Sequence, residues 1–494
     1  MAFKIVVIGG GTAGVMSSTY LKSYWGDLVD ITAVYDHKNA GIGVGESLTP
    51  GFDSYLKAVG VTTQELIKNC NSTIKLGLRF KNWTHEGSDW FHNFPINEAV
   101  TQLDTTAFEF NVVDAYDILT DQYDGSYGYD WHYFNNNLIP HTNNLNYRHA
   151  LHVDATLVGR YIENKFKDKI NTIDAIVTHV ETENNNIKTV KLNNGLELTA
   201  DLFIDASGLQ KILLGKLDAE WVDISDLLPT DRTIPNPMFK TYDYIPPYTT
   251  AEATKNGWIL DVPLSNRRGT GYVYCSKFTT DEEAREDFNK WLIKTHNSEL
   301  TSNKIIKFKN GYWKTPWVGN CIAIGLSSGF VEPLEATSLH HTFMQLSTLT
   351  KINCLENIEL DKKNYNKFVN GMYENAFQYI RFFYHTKRQD SDFWLNFYHN
   401  QPDWLKELEE KINSSFLGQQ DFQQLGMMFD ATSFTSVAYG HGMFKNKQSI
   451  EKYLKTRYLL NHAEQCSNKV RAIKSTIYNS AVDHKTWIDS ILRS

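Results

Sequence analysis

The sequence has few cysteines and lacks both long hydrophobic runs and runs of basic residues. Its five cysteines are odd in number, lie far apart and include no pair with the spacing of metal ligands. We therefore expect no metal site and reduced structural thiols, which are typical of a cytoplasmic protein. No stretch reaches about 18 consecutive apolar residues, and the first residues lack a signal peptide's basic region and cleavage site. This pattern predicts no contact with a membrane.

The charge excludes another class of partner. The formal net charge is −8 and no basic run interrupts it, which argues against a nucleic-acid-binding surface. A length of 494 residues predicts roughly two to four domains, and 41% hydrophobic with 21% charged residues is typical of a globular protein. The aromatic fraction of 13% is high, and it is compatible either with a pocket for a flat ring system or with a large core.

Residues 3–36 carry the pattern of a dinucleotide-binding unit. A short apolar strand, the run Gly-Gly-Gly-Thr-Ala-Gly, a helical stretch and a second strand follow one another. In such a unit Gly9 allows the tight turn, Gly11 lets the backbone approach a pyrophosphate, and Gly14 lets helix and strand pack closely. The N–H groups at the start of the helix would hold the phosphate. Asp36 stands one position beyond the usual ribose-binding acid, so its contact with the ribose stays open.

Residues 39–50 contain glycine at three alternate positions, Gly41, Gly43 and Gly45. Such a segment contributes little to a core, but its backbone can lie against a large planar ligand. We therefore expect either a strap over a cofactor or an ordinary flexible loop.

Residues 74–80 alternate apolar and polar side chains, which predicts a single β-strand with one apolar face. Lys75 and Arg79 then point to the other face, on either side of Gly77, where a ligand or another backbone could approach. The alternative is an amphipathic strand whose Lys75 is solvated.

Taken together, these segments resemble the tryptophan-halogenase family of flavin-dependent halogenases. The likeness covers nearly the whole chain and is strongest over residues 3–14, 39–50, 71–83 and 321–339. The last of these segments contains Glu-Pro-Leu-Glu-Ala-Thr-Ser, where the family has Glu-Pro-Leu-Glu-Ser-Thr. By this resemblance, the chain is identified as a divergent member of the family that would accept a broad range of substrates.

The resemblance implies an α/β fold. Residues 1–340 would form an FAD-binding, Rossmann-like domain of the glutathione-reductase type, with sheet insertions and an aromatic excursion over about residues 85–150 that covers the substrate. Residues 341–494 would form a mainly helical substrate-binding domain packed on the first.

The resemblance also implies the catalytic residues, which are Lys75 and Glu335. His92 and Phe94 would flank the substrate ring. Two alternatives stay open, because His92 could be a surface histidine in an aromatic loop, and Glu335 a first-turn carboxylate favoured by the helix dipole.

By the same resemblance, the backbone amides of Thr337 and Ser338 would hold a halide ion, since anions suit N–H groups at the start of a helix. The residues that would contact FAD are Gly9, Gly11, Thr12, Ala13, Gly14, Asp36, Gly43, Val44, Gly45, Glu46, Ser47, Leu326 and Leu339.

In the family, reduced FAD, O₂ and a halide give hypohalous acid, which a lysine presents to an aromatic ring. Lys75 would hold this acid as a haloamine or by a hydrogen bond, and Glu335 would stabilise the cationic ring or remove its proton. No second dinucleotide motif follows, because Gly269-Thr270-Gly271 lacks the third glycine. We therefore expect a separate flavin reductase to supply the FADH₂.

The chain departs from the family pattern in three places. Leu260 and Val262 stand where the family has Trp and Ile, Ala336 replaces a serine, and residues 427–434 contain no tryptophan. From these departures we predict that iodide or bromide is favoured over chloride, and electron-rich indoles or phenols over free tryptophan. A flavin-dependent aromatic monooxygenase, favoured by Leu260, and a non-catalytic flavin-binding protein are the alternative functions, and a homo-oligomer stays open.

Overall fold

The computed structural model describes residues 2–38, 46–96, 100–125, 127–141, 148–240, 242–351 and 358–494. The chain divides into two compact units, each assembled from three separate stretches. The first unit consists of Met1–Ser72, Val153–Asp231 and Lys307–Phe377, and the second of Thr73–His152, Arg232–Ile306 and Gln378–Ser494. These two units do not coincide with the two domains predicted on either side of residue 340. That domain division stays a prediction. Because the stretches alternate, each unit brings together residues that are far apart in the sequence.

A six-stranded sheet forms the centre of the first unit. Its strands stand in the order Trp317–Val318, Cys321–Ala323, Leu202–Asp205, Phe3–Ile8, Val29–Tyr35 and Asn171–Asp174, and all neighbours except the first pair are parallel. The strand Phe3–Ile8 is an apolar run that is buried from Ile5 onward, as expected for a parallel strand covered on both faces. Its carboxyl end lies beside those of two neighbours, and this is the edge at which such sheets bind ligands.

Two layers cover this sheet. The antiparallel strands Val177–Glu183, Asn186–Leu192 and Glu197–Leu198 share a buried apolar cluster with it, which includes Val6, Val190 and Phe203. The helix Thr12–Trp25 packs against the helices Ala155–Phe166 and Ser338–Lys351. The other elements of this unit are the strands Glu46–Ser47, Trp221–Asp223, Gly311–Trp313 and Gly329–Phe330 and the helices Phe52–Ala58 and Thr63–Cys70, while the helix Ile358–Phe383 begins here.

The second unit contains a largely antiparallel sheet. The short strand Ile306–Lys307 forms one edge of this seven-stranded sheet. The other strands follow in the order Arg232–Met238, Arg268–Tyr274, Gly257–Pro263, Tyr248–Ala253, Gly77–Lys81 and Asp89–Asn93. Only the pair Tyr248–Ala253 and Gly77–Lys81 is parallel among these neighbours. The helix Asp281–His296 covers the sheet and buries Ala284, Phe288 and Leu292 against it.

Short strands and helices complete the second unit. The strand Thr73–Lys75 pairs with Ala150–Val153, and Leu138–Pro140 pairs with Ala481–Asp483. The remaining elements are the helices Thr105–Glu109, Val112–Leu119, Trp131–Asn135, Asp392–His399, Asp403–Ser414, Ala431–Gly440, Lys447–Thr456, Leu460–Tyr478 and His484–Arg493.

The single strand predicted over residues 74–80 is wrong, because the structure has two strands, Thr73–Lys75 and Gly77–Lys81. The break lies at Leu76, whose N–H donates to the Pro247 carbonyl (2.7 Å) and whose carbonyl accepts from the Phe94 N–H (2.8 Å). Gly77 is required by a close approach, since a Cβ there would lie 2.6 Å from the carbonyl oxygen of His92. The bare backbone therefore lets the second strand pair with Asp89–Asn93.

Two smaller predictions concern the thiols and the membrane. Cys70, Cys275, Cys321 and Cys466 are buried thiols, and Cys354 lies outside the described residues. Within the described ranges, none of the helices combines the length and the apolar character needed to cross a bilayer.

Candidate active site

The turn after the first strand has the shape of a phosphate-binding site. Gly9 has a φ of +127°, and a Cβ there would lie 2.2 Å from the carbonyl oxygen of Ala206. A Cβ on Gly14 would lie 1.9 Å from the carbonyl oxygen of Gly9, so both positions need glycine. Gly11 differs, because no heavy atom of the described residues lies within 4 Å of the Cβ position. The open space lies at the start of the helix Thr12–Trp25, whose N-cap has no side-chain hydrogen bond.

This geometry fits the pyrophosphate of a dinucleotide, since the first N–H groups of a helix have no acceptor within the helix. Thr12 and Ala13 supply those groups. The turn Gly325–Ser327, which carries Leu326, approaches the same place, because a Cβ on Gly325 would lie 2.6 Å from the Cβ of Ala13. The structure thus brings together the predicted contacts at the turn and at Leu326, and their role stays a prediction.

Asp36 follows the second strand, which ends at Tyr35. Its Oδ1 accepts a hydrogen bond from the Lys38 N–H (2.9 Å), while the Tyr35 ring stacks on His37 with centroids 4.6 Å apart. A Cβ on Gly10 would lie 2.2 Å from the Tyr35 ring. The tyrosine therefore packs on the glycine turn, at the place where the sequence pattern expects an acid.

Part of the predicted strap can be described. Gly43, Val44 and Gly45 lie outside the described residues, whereas Glu46 and Ser47 form a short strand. Burial, together with the nearby carboxylate of Asp154, raises the pKa of Glu46 to about 7. Beyond the strand, the Thr49 hydroxyl lies 2.7 Å from Nδ1 of His340, on the helix that begins at Ser338.

Sequence reasoning missed Asp205, at the end of the strand Leu202–Asp205. Its buried carboxylate accepts hydrogen bonds from the backbone N–H groups of Leu213 (2.8 Å) and Leu214 (2.9 Å) and from the Ser327 hydroxyl (3.1 Å). These bonds join the strand end to the turn that carries Leu326. An acid placed after an apolar run and before small residues was the available signal.

Glu335 ends a single 3₁₀ turn, Pro333–Glu335, and is 2% exposed. Ala336 follows with a φ of +55°, in the left-handed region that favours glycine, so the chain reverses before the helix Ser338–Lys351. Thr337 is buried, and among the described residues its Oγ1 has no hydrogen-bond partner. Thr337, Ser338 and Leu339 therefore stand at a helix start, where N–H groups face outward from the helix.

Lys75 is fully buried in the second unit. Its Nζ lies 5.1 Å from the centre of the Phe94 ring, within the range of a cation–π contact. Lys75 lies opposite Ala150 in its strand pair, and Phe94 is held through its N–H by the carbonyl of Leu76. The structure thus brings two of the predicted site residues together. Glu335 belongs to the other unit, so its pairing with Lys75 stays a prediction.

His92 is buried on the strand Asp89–Asn93. Its Nδ1 lies 3.2 Å from the hydroxyl of Tyr379, and the Tyr379 ring stacks on Phe429 with centroids 3.8 Å apart. The surface-histidine alternative is therefore wrong. The sequence analysis missed Tyr379, because aromatic residues on a helix are more often core. It also missed Phe429, which lies before the helix Ala431–Gly440 in a segment without regular structure.

A cavity of about 490 Å³ also opens on this strand. Its lining includes the rings of Trp90, Phe91, Tyr123, Trp131 and Tyr439 but none of Lys75, His92 and Phe94. The cavity is therefore separate from the predicted reaction site.

Comparison with known proteins shows which protein family this chain is similar to. The sequence profile of the family described as tryptophan halogenase matches residues 4–453. The chain is 29% identical over 482 residues to tryptophan 7-halogenase RebH of Lentzea aerocolonigenes, covering 90% of this chain and 86% of that protein. It is 31% identical over 423 residues to tryptophan 7-halogenase KtzQ of Kutzneria sp. (strain 744), covering 79% and 78%.

The solved structure of a tryptophan halogenase from Shewanella frigidimarina NCIMB 400 has the same fold. It superimposes with a TM-score of 0.89 over 100% of this chain and 98% of that chain, at 23% identity. The predicted fold class, an α/β flavin-binding domain with a helical part, is confirmed.

Proposed function

Because the chain belongs to the tryptophan halogenase family and is therefore an FADH₂-dependent halogenase, an oxidoreductase, we propose that Lys75 delivers electrophilic halogen to an electron-rich aromatic substrate of the indole or phenol type. The observation that carries this proposal is the complete burial of Lys75 with its Nζ 5.1 Å from the Phe94 ring. Burial of a charged or ionisable amine is costly, so the complete burial of Lys75 beside an aromatic ring supports a chemical role.

The first unit would hold the cofactor. Reduced FAD, when bound, would supply with O₂ the oxidising power that converts a halide into hypohalous acid. The open space at Gly11 and the uncapped helix start support binding of its pyrophosphate. The residues assigned to it are Gly9, Gly11, Thr12, Ala13, Gly14, Asp36, Gly43, Val44, Gly45, Glu46, Ser47, Leu326 and Leu339.

The halide would be held by the backbone N–H groups of Thr337 and Ser338. A helix start carries a partial positive charge and N–H groups that lack an acceptor within the helix. The buried Thr337 hydroxyl, which has no partner among the residues described, supports a polar ligand at this place. Ala336 provides no hydroxyl there, whereas the family has a serine.

Lys75 would act on the hypohalous acid in one of two ways. As a neutral amine, its Nζ forms a bond to the halogen while the halogen–oxygen bond breaks, and the hydroxide and the amine proton leave as water. The substrate ring then takes the halogen, and the electron pair of the nitrogen–halogen bond returns to Nζ. As an ammonium, Lys75 instead donates a hydrogen bond to the acid, which makes the halogen more electrophilic. In both cases the Glu335 carboxylate accepts the ring proton, so the halogen replaces hydrogen on carbon. In the first case this proton then passes to Nζ and restores the neutral amine, and in the second it combines with the hydroxide released from the acid to form water.

The proposal also assigns the class of aromatic substrate and the halide. His92 and Phe94 would flank the ring, and residues 427–434, which contain no tryptophan, place Phe429 against Tyr379. We assign electron-rich indoles and phenols as substrates, with iodide or bromide favoured over chloride because the larger halides are easier to oxidise. A separate flavin reductase would supply the FADH₂.

The test is a halide competition. The protein is mixed with FAD, NADH, a flavin reductase, equal chloride, bromide and iodide, and a panel of indoles and phenols that includes free tryptophan. Mass spectrometry reads the products, and a soluble 1,3-dione captures free hypohalous acid. We expect iodinated or brominated product from wild type, and none from Lys75→Ala although the dione is still halogenated.

Lys81→Ala is the matched control, since Lys81 lies on the next strand and pairs with Glu252 (3.9 Å) with 38% of its side chain exposed. It should give wild-type product. Hydroxylated product, or halogenation that Lys75→Ala leaves intact, would contradict delivery by Lys75. Preferential turnover of chloride would contradict the halide assignment alone.

A further inference from the structure

The strand that carries Lys75 is only three residues long, Thr73–Lys75. Within the part of the chain that the structure describes, it pairs with one strand, Ala150–Val153. Such a strand has a second edge, whose N–H and carbonyl groups need acceptors and donors when buried. All three residues have no exposed surface. Two buried histidines contact this strand. His484 comes from a helix elsewhere in the unit, and His152 belongs to the partner strand, where it lies opposite Thr73.

His484 contacts the backbone of the strand. The Ile74 N–H donates to Nε2 of His484 (3.0 Å), so that nitrogen must be the acceptor. Nδ1 therefore carries the ring proton and donates to the carbonyl of Ile245 (3.0 Å). The two bonds fix one neutral tautomer, and a second proton on Nε2 would set two donors against each other. Burial also lowers the pKa of His484 to about 4.

His484 is itself held in place. It is the first residue of the helix His484–Arg493, whose N-cap is Asp483, and its backbone N–H donates to the Asn137 carbonyl (2.9 Å). The preceding strand Ala481–Asp483 pairs with Leu138–Pro140. These contacts anchor the ring that meets Ile74.

His152 contacts the side chain of the strand's first residue. The Thr73 hydroxyl donates its one proton to the carbonyl of Pro263 (2.6 Å), so it must accept from Nδ1 of His152 (2.9 Å). Nε2 of His152 then accepts from the hydroxyl of Thr249 (3.0 Å). The result is a directed chain of hydrogen bonds through a second neutral imidazole. Burial and the neighbouring charge of Lys75 lower the pKa of His152 well below its usual value.

We propose that His484 and His152 are positioning residues for Lys75, which hold its three-residue strand in place as neutral imidazoles. The inference rests on the proposed role of Lys75. Transfer of halogen requires Nζ to stay within about 1 Å of its productive position, because misplacement on that scale can cost about 100-fold in rate. A strand with a single partner strand would not provide that precision. The histidines also keep a second positive charge away from the lysine.

The test measures where the hypohalous acid goes. With reductase, FAD and bromide, the ratio of halogenated indole to halogenated 1,3-dione is compared among variants. We expect His484→Leu to lower this ratio at least about tenfold, because Ile74 loses its acceptor, while FADH₂ consumption stays near wild type. His484→Gln keeps an amide oxygen as acceptor and should stay within about threefold of wild type. His399→Leu, which replaces an exposed histidine of the same unit, should match wild type.

A second measurement uses the protein without FAD. Amide-resolved hydrogen exchange of the apoprotein should show loss of protection at Ile74 in His484→Leu and its return in His484→Gln. If His484→Leu does not fold, Thr73→Val serves instead, since it keeps the volume and removes the hydroxyl that links His152 to Pro263.

The outcomes separate the two proposals. A wild-type ratio in His484→Leu and Thr73→Val, with the ratio collapsed in Lys75→Ala, would overturn the positioning role and leave Lys75 as the delivery group. A wild-type ratio in Lys75→Ala would overturn the delivery role itself. A reduced ratio in His484→Leu that His484→Gln restores would support the inference.

Discussion

The two compact units hold their predicted functional groups by different means. In the first, the predicted flavin and halide contacts are mainly backbone groups, at the glycine turn and at the start of the helix Ser338–Lys351. In the second, the strand of Lys75 is contacted by the side chains of His152 and His484, which lie 79 and 410 positions from the residues they contact. Backbone sites depend on local conformation, whereas side-chain sites depend on the whole fold.

The largest expected effect concerns the glycine turn. A Cβ on Gly14 would lie 1.9 Å from the Gly9 carbonyl oxygen, a backbone atom that cannot turn away. We expect Gly14→Ala to destabilise the apoprotein by about 3 kcal/mol, at the upper end of overpacking effects, or to prevent folding. Thermal and urea denaturation of the apoprotein measure this.

Gly11→Ala is the matched control. No heavy atom of the described residues lies within 4 Å of its Cβ position, and its φ of −71° is ordinary for alanine. Its stability should stay within about 0.5 kcal/mol of wild type, while its affinity for FAD falls because the methyl group occupies the predicted pyrophosphate position. Equal stability of the two variants would show that the turn tolerates bulk and is not held by its backbone.

This contrast explains what could be predicted from the sequence. The dinucleotide turn and the turn at Glu335 follow from short runs of residues, because the conformations of neighbouring residues create them. The break after Lys75 could not be predicted, since it depends on bonds from Leu76 to Pro247 and Phe94. The alternation of residues 74–80 contains no sign of it.

The residues that contact Thr73, Ile74 and His92 could not be predicted from the sequence either. His152 and His484 are single histidines with no local motif, and only the fold brings them to Thr73 and Ile74. Tyr379 lies on a helix among other aromatic residues, and its contact with His92 requires knowledge of the pairing between distant elements.

The second prediction concerns pH, which should act on His484 in the second unit and on Glu46 in the first with opposite signs. The pKa of His484 is lowered from 6.5 to about 4, so its stabilising contribution is complete above pH 6.5 and is lost as the pH falls toward 4. At pH 5.5 this loss is about 1.4 kcal/mol, one pH unit below the unfolded value. The pKa of Glu46 is raised from 4.5 to about 7, so its contribution is complete below pH 4.5 and is lost as the pH rises toward 7.

Urea denaturation of wild type, His484→Gln and Glu46→Gln at pH 5.5 and 7.5 measures these contributions. Between pH 7.5 and 5.5, His484→Gln should lose less stability than wild type, and Glu46→Gln should lose more. Parallel pH profiles for all three proteins would mean that neither group changes its protonation on folding.

The smallest expected effect tests whether side-chain support in the second unit serves geometry more than stability. Tyr379→Phe removes the hydroxyl that lies 3.2 Å from Nδ1 of His92 and keeps the ring stacked on Phe429. The same hydroxyl also donates a long hydrogen bond to the Ser433 carbonyl (3.4 Å). Because a typical hydrogen bond contributes about 1 kcal/mol and both of these are long, the free energy of unfolding should fall by about 1 kcal/mol. Since His92 would then lose a contact that orients its ring beside the substrate, we expect KM to rise about two- to fivefold with kcat near wild type, the pattern of lost ground-state binding.

Tyr133→Phe is the control, because the buried Tyr133 hydroxyl has no partner among the residues described, and its removal should leave both stability and KM unchanged. An unchanged KM in Tyr379→Phe would mean that the strand alone orients His92, as the backbone alone forms the glycine turn.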